Sequence, residues 1–382
     1  MVIGSRGEQR VRGGHPWVYR SDVVDAHASG GDVVDVLGPR GGRIGTALWS
    51  DRSQISLRLL ALGEVADVAG IVRERLERAL SYRASLGIDA TAFRLVHGEG
   101  DLLPSLIVDR YGDHLVVQAL SQGMDRLLPV VTELLRELAA PAGILARNDP
   151  KVRTLEGLEQ RVDVLHGTIP DAVTVREGAI EYEVDLRHGQ KTGLFLDQRE
   201  NREAAARYAR GRLLDGFSYH GGFALALARR CSSVEAVDIS ADAVARITAN
   251  AGRNGLQVEA RQANVFDELR RLERAGARYE TIVLDPPAFA KNKAAIPQAL
   301  AGYKEINLRA MRLLEPGGFL VTCSCSYNVS EEMFEAVVRE ASADSRTPAV
   351  MVEKRMQGRD HPVLVGVPET HYLKCFILRR VG

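Results

Sequence analysis

Cys323 and Cys325, separated by one serine in TCSCSYNVS, are the residues of this chain best suited to covalent chemistry. A cysteine acts as a nucleophile where its surroundings favour the thiolate. Strand alternation puts both on one face, so either can supply a thiol at the same place. Both are equally readable as small core residues, the commonest fate of a free cysteine. Asp285 is the next candidate, because it ends the apolar run YETIVL and is followed at once by Pro286 and Pro287. Two prolines cannot continue a hydrogen-bonded ladder, so they hold the chain stiffly at a sheet edge, with a carboxyl group able to bind or protonate a substrate. A third group lies in RLLDGFSYHGGFALALARR, where Gly216, Gly221 and Gly222 form a turn that lets backbone approach a ligand closely. The strict GxGxxG spacing is absent, and Asp215 opens the turn with a negative charge; both count against a dinucleotide pyrophosphate. Asp238 ends the following apolar stretch, SVEAVD, where an acid can accept both hydroxyls of a ribose. Asn264, in QANVFDEL, comes at the corresponding place after a third strand, where an adenine edge would lie. Four cysteines without a CxxC pair predict neither a disulfide framework nor a zinc site, and no metal is expected.

These groups need a scaffold that brings strand ends together. From about residue 190 onward, apolar strands alternate with amphipathic helices, the pattern of a parallel sheet with crossover connections. The fold class expected is therefore α/β, with a Rossmann-like sheet in the C-terminal half. Residues 1–65 read differently. HPWVY, DVVDVLG, GRIGTALWS and ISLRLL are short β-rich runs split by SGG and PRGG turns, which suggests a small β-barrel. Residues 68–86 and 123–139 have helical spacing, while 93–120 and 143–149 read as strands, giving a small central α+β domain. The boundaries expected are 1–67, 68–187 and 188–382.

A length of 382 residues fits two or three domains, and 45% hydrophobic with 26% charged residues is ordinary for a globular chain. No apolar run approaches the ~18 residues of a membrane helix, and the basic N-terminus lacks the apolar core of a secretory signal. A cytoplasmic protein with reduced thiols is the expectation. The net charge of zero gives no sign of nucleic acid, but 43 of the 50 basic residues are arginine. Arg6, Arg10, Arg12 and Arg20 crowd the N-terminus, and arginine suits phosphate contact and base stacking.

Taken in order, the glycine turn, the acid at Asp238, Asn264 and the Asp-Pro-Pro loop resemble the class I methyltransferase series. The segment HGQKTGLFLDQRENR (188–202) resembles the K-T-G-x-x-x-D-Q-R run of a ribosomal-RNA methyltransferase family with an N-terminal PUA domain. The resemblance continues through GHPWVYRSDV, RLVHGEGDLLPSLIVDRYGD, DGFSYHGGFAL, DPPAFAKNK, SCSYNVS and HPVLVGVPETHYLKC, and so covers nearly the whole chain. It implies S-adenosylmethionine as methyl donor, S-adenosylhomocysteine as product, and 5-methylcytosine in large-subunit ribosomal RNA as the modification. It further implies cofactor contacts from Lys191, Thr192, Gln198, Asp215, Phe217, Ser218, Tyr219, Gly221, Asp238, Asn264 and Asp285. Asp285 would also act in catalysis, and Cys325 would be the nucleophile, with Cys323 as the alternative. Such families often carry aspartate where this chain has Asn264, which loosens the adenine assignment. An RNA-binding PUA-like domain at 1–67, no membrane association and a homodimer complete what the resemblance implies. Asp-Pro-Pro with an aromatic close behind, here Phe289, also occurs in enzymes that methylate amino groups, so a purine N-methyltransferase is one alternative. An RNA-binding assembly factor without activity is the other.

Overall fold

A computed structural model describes residues 1–189 and 192–382. The chain forms two compact units. The first takes in Met1–Gly178, Glu183–Leu196 and Arg359–Thr370; the second takes in Ala179–Tyr182, Asp197–Gly358 and His371–Gly382.

The first unit holds a six-stranded and a five-stranded sheet. Its six-stranded sheet runs in the order Trp17–Tyr19, Ile55–Leu62, Arg43–Trp49, Val33–Leu37, Val2–Ile3, Val23–Asp25. Alternating residues of these β-branched runs bury Ile3, Val18, Val36, Ile44, Ala47 and Leu57 in one core. The sequence patterns find four of these strands but not the helix Ser5–Arg12, which buries only Gly7 and Val11 and so shows almost no apolar periodicity. Its arginines are held by carboxylates. Arg6 and Arg10 donate to the two oxygens of Asp22, both at 2.6 Å, and Arg12 donates to Glu8 at 2.8 Å. The second sheet has five strands, ordered Arg161–Gly167, Gly143–Asn148, His114–Ala119, Leu106–Tyr111, Ala92–His97. Two helices pack on it, Val68–Ser85 and Gln122–Ala139, capped by Asp67 and Ser121. The first buries Val72, Leu76, Ala79 and Arg83, a spacing that keeps one face toward the sheet.

The second unit carries seven strands: β1 (Arg212–Gly216), β2 (Ser233–Asp238), β3 (Glu259–Gln262), β4 (Tyr279–Leu284), β5 (Leu314–Ser324), β6 (Ala349–Arg355) and β7 (Lys374–Arg380). Their order in the sheet is β3-β2-β1-β4-β5-β7-β6. β1 to β5 are parallel, and β7 lies antiparallel between β5 and β6. The helices are α1 (Arg199–Ala206), α2 (Gly222–Ala228), α3 (Ala241–Arg253), α4 (Val265–Arg274), α5 (Ile296–Leu313) and α6 (Glu331–Ser345). This is the doubly wound α/β architecture expected from the alternation of strand and helix.

Both faces of the sheet are covered, so its strands are apolar at successive positions. Leu214, Ile282, Leu284, Leu320 and Phe376 enter the core beneath α4, α5 and α6. Leu213, Val283, Val321, Cys323 and Ile377 enter the opposite core, which includes α2. Continued by two residues, the second set leads from Leu213 to Asp215, from Val283 to Asp285 and from Cys323 to Cys325. Strand parity thus brings the three candidate reactive groups to one side of one sheet edge. The order reverses at β1, which has β2 on one side and β4 on the other, and ligands of doubly wound sheets bind in that crevice. Among the described residues no helix is long and apolar enough to cross a membrane.

Candidate active site

The turn from β1 to α2 is built on left-handed backbone. Phe217 (φ 63°), Tyr219 (φ 52°) and Gly221 (φ 81°) alternate with residues in ordinary conformations. Bulky residues at positive φ are uncommon, and such strain collects where a ligand is held. Asp215 anchors the turn: its Oδ2 accepts from Ser218 Oγ at 2.5 Å and from the Ala224 amide at 2.9 Å. Its Oδ1 is buried and has no partner among the described residues. Burial pushes the Asp215 carboxyl up to about 7; these two hydrogen bonds pull it down, while the charges of Asp285 and Asp238 push it further up. A buried oxygen without a donor is costly, and a ligand N–H or O–H delivered to it would relieve that cost.

Asp238 lies at the tip of β2. Its two oxygens accept the amides of Tyr219 and Ser240, each at 2.9 Å, which fixes the carboxylate while leaving lone pairs for hydroxyl donors. Asn264 is the N-cap of α4, its Oδ1 accepting the Phe266 amide at 2.9 Å. The amide side of Asn264 is a donor, which a capping aspartate would not supply. Phe217, Phe266 and Phe289 meet with ring centroids 5.9 to 6.3 Å apart, and Phe289 packs on Tyr303 at 4.7 Å. The sequence does not show that these rings meet, because they are far apart along the chain; Phe217 and Phe289 are legible there only as a turn residue and as the aromatic behind Asp-Pro-Pro.

Asp285 follows β4 directly, and its Oδ1 accepts from Gln198 Nε2 at 2.9 Å. Gln198 therefore meets the Asp-Pro-Pro loop. The Ser-Cys-Ser motif has a structural reason: Ser324 Oγ donates to Tyr303 OH at 3.0 Å, and Ser326 Oγ lies 2.8 Å from the same hydroxyl. The serines are thus tied to α5, and Cys325 falls between them on the other parity. Its Sγ lies 3.7 Å from the Pro286 carbonyl, and the residue is half-buried. Cys323 is fully buried opposite Cys375, its register partner in β7. Burial, then the neighbouring Cys375, raises the Cys323 thiol well above its ordinary range. The two cysteines that the sequence leaves equivalent therefore differ sharply in access and surroundings.

The K-T-G segment divides. Lys191 lies outside the described residues. Thr192 belongs to the first unit, where its hydroxyl donates to the buried Asp109 at 2.6 Å and sits 3.0 Å from Tyr111 OH. Among the described residues no three His, Cys, Asp or Glu side chains come together to hold a metal ion.

Residues 94–365 match a family model described as S-adenosylmethionine-dependent methyltransferase. The chain belongs to that family. This methyltransferase also matches a PUA-like domain over residues 1–62. It is 39% identical over 380 residues to a protein of Tolumonas auensis named ribosomal RNA large subunit methyltransferase I, with 96% of each chain covered. The protein of the same name from Aeromonas salmonicida is 38% identical, covering 96% of this chain and 95% of its own. Its fold is shared by a methyltransferase from Streptococcus mutans (TM-score 0.84, 20% identity) and by SMU.776 crystallised with SAH (TM-score 0.87, 21% identity), each with 99% of both chains covered. As a methyltransferase of this family it takes S-adenosylmethionine as its cofactor.

Proposed function

We propose that this methyltransferase modifies C5 of a cytosine in large-subunit ribosomal RNA through a covalent adduct with Cys325. The observation that carries the reading is the contrast between the two cysteines. Cys325 is half-buried one residue past β5 and against the Asp-Pro-Pro loop, whereas Cys323 is sealed in the core. C5 of a pyrimidine is a poor nucleophile, and a thiol at the pocket is what carbon methylation needs and amino methylation does not. The relatives' shared name supports the choice of RNA.

The residues at the sheet edge suit S-adenosylmethionine. Among the described residues the buried Asp215 Oδ1 has no partner and can accept from a donor, and Asp238 has lone pairs for ribose hydroxyls. Asn264 offers an amide donor for adenine, and Phe217, Ser218, Tyr219 and Gly221 form the backbone of the turn around it. Bound there, S-adenosylmethionine supplies an electrophilic methyl group and leaves as S-adenosylhomocysteine.

In this reading the Cys325 thiolate adds to C6, forming an S–C6 bond and pushing the C5–C6 electron pair into a C4–C5 double bond, with the C4–N3 pair moving onto N3. Asp285, oriented by Gln198, holds the N3 side of the ring and supplies the proton that offsets the charge building there. The C4–C5 pair then takes the methyl group onto C5 and restores C4=N3; a base removes the C5 proton, that pair re-forms the C5–C6 double bond and expels the thiolate, and N3 returns its proton to Asp285. The target base must be unpaired or flipped to reach the pocket. Domain 1–67 would hold flanking RNA, 68–187 would support it, and 188–382 would carry out the chemistry.

The test combines nucleoside mass spectrometry of ribosomal RNA with the variant Cys325→Ala. We expect 5-methylcytidine from the unaltered protein, none from C325A, and unchanged S-adenosylhomocysteine binding. Methylated purine as the product, or full activity in C325A, would overturn the reading. Ribosomal RNA binding without methyl transfer would instead identify an assembly factor.

A further inference from the structure

We infer that Lys374 is a positioning residue that serves as the built-in counter-cation of the Cys325 thiolate. The inference rests on Cys325 being the nucleophile. Lys374 opens β7, in register with Ser324 of β5, and is only 2% exposed. Its Nζ donates to the carbonyl of Ser326, the residue after Cys325, and to that of Tyr372, both at 2.9 Å. Those two acceptors are neutral. Among the described residues no carboxylate lies within ion-pair distance of the ammonium, and its third N–H has no acceptor. An ammonium withdrawn from water without a carboxylate is destabilising, and an apolar residue would serve the fold better there. The cost is offset if an anion forms beside it during the reaction, and the adjacent group able to become one is the Cys325 thiol.

The surrounding charges fit. Burial draws the Lys374 ammonium down to about 8, and negative charge on Cys325, then on Glu331, draws it back up. Among the described residues four ionisable groups meet at this corner: Lys374 from β7, Asp285 after β4, Tyr303 of α5 and Glu331 at the start of α6, the last also paired with Lys354 at 3.4 Å. Burial raises the Tyr303 hydroxyl, and Cys325 raises it further, so Tyr303 stays neutral. Glu331, and Asp285 whenever it has given up its proton, oppose a thiolate. Lys374 is the one cation among the four and offsets them. When the thiol ionises, its proton leaves to solvent and the ammonium keeps its own, so the pair becomes S⁻ and NH3⁺. The same pair re-forms when the product releases the sulfur.

The experiment reads the thiol directly, without RNA. The full-length protein is treated with iodoacetamide between pH 6 and 10, and alkylation of Cys325 is followed by peptide mass spectrometry. The proposal requires the Cys325 midpoint to lie below that of free glutathione, and a midpoint at or above it overturns the proposal with no variant needed. An opposite charge within about 4–6 Å of a titrating group typically shifts its midpoint by about 1–3 units toward the charged form. Lys374→Met should therefore slow alkylation at pH 7 by roughly tenfold or more and reduce kcat in parallel, with S-adenosylhomocysteine affinity unchanged. Lys374→Arg, which keeps the charge, should restore much of the rate. An unshifted alkylation profile in K374M sinks the inference while leaving the nucleophile intact. Undiminished methyl transfer in C325A sinks the nucleophile itself, so the two failures are distinct.

Discussion

Asp215→Asn probes the electrostatics of the cofactor turn through stability alone. An aspartate ordinarily titrates at 3.8, and Asp215 is held at about 7. Between those values the folded chain keeps a proton that the unfolded chain has lost, so stability falls as pH rises. The favourable contribution is complete below about 4 and gone above about 7. Three units at 1.36 kcal/mol each set a ceiling of about 4 kcal/mol, and the two units between pH 5 and 7 account for roughly 3 kcal/mol. Asparagine removes the titration but keeps the shape. The other carboxylates cancel when the two proteins are compared. Urea denaturation followed by far-UV circular dichroism should therefore show the unaltered protein losing up to roughly 3 kcal/mol relative to D215N between pH 5 and 8. A saturating concentration of S-adenosylhomocysteine should flatten that slope, because a donor on Oδ1 favours the ionised carboxylate. A difference that stays constant from pH 5 to 8 without ligand would refute the reasoning.

Cys323→Ala should cost about 1 kcal/mol through a small cavity yet keep most methyl transfer; loss of activity with cofactor binding intact would exchange the roles of the two cysteines. Gly221→Ala forces a side chain onto a φ of +81° with its Cβ 3.2 Å from Leu225, and should cost about 1–2 kcal/mol. Isothermal titration with S-adenosylhomocysteine should show weaker binding, and unchanged affinity would argue against this turn. Asp109→Asn removes the fully buried carboxylate that takes two hydrogen bonds from the half-buried Arg94, at 2.6 and 2.9 Å, and should destabilise by about 3 kcal/mol. Both tryptophans, Trp17 and Trp49, lie in the first unit, so their fluorescence reads that loss directly.

The sequence alone determines the elements and the order of the motifs. Strand-helix alternation after residue 190 specifies a doubly wound sheet, and a parallel sheet must bring its strand ends to one edge. Asp215, Asp238 and Asp285 are therefore legible as neighbours before any coordinates, because each ends an apolar run. The small β strands of residues 1–65 are legible for the same reason, whereas the arginine-rich helix Ser5–Arg12 is not, since it buries too little to leave a periodic trace.

Only tertiary structure gives Cys323 and Cys325 different surroundings. Strand parity makes them equivalent, and their difference comes from β7, which returns antiparallel to β5 and places Cys375 against the first cysteine while leaving the second past the ladder's end. The same return sets Lys374 against the Ser326 carbonyl, almost fifty residues away along the chain. Asp215 tells the same story. Its identity is visible in the sequence, but its unpartnered oxygen and raised titration depend on which groups surround it, and burial is a property of the packed sheet. Periodicity records which face a residue shares; it carries no record of which distant strand comes to lie alongside, and that pairing is what separates a sealed thiol from an available one.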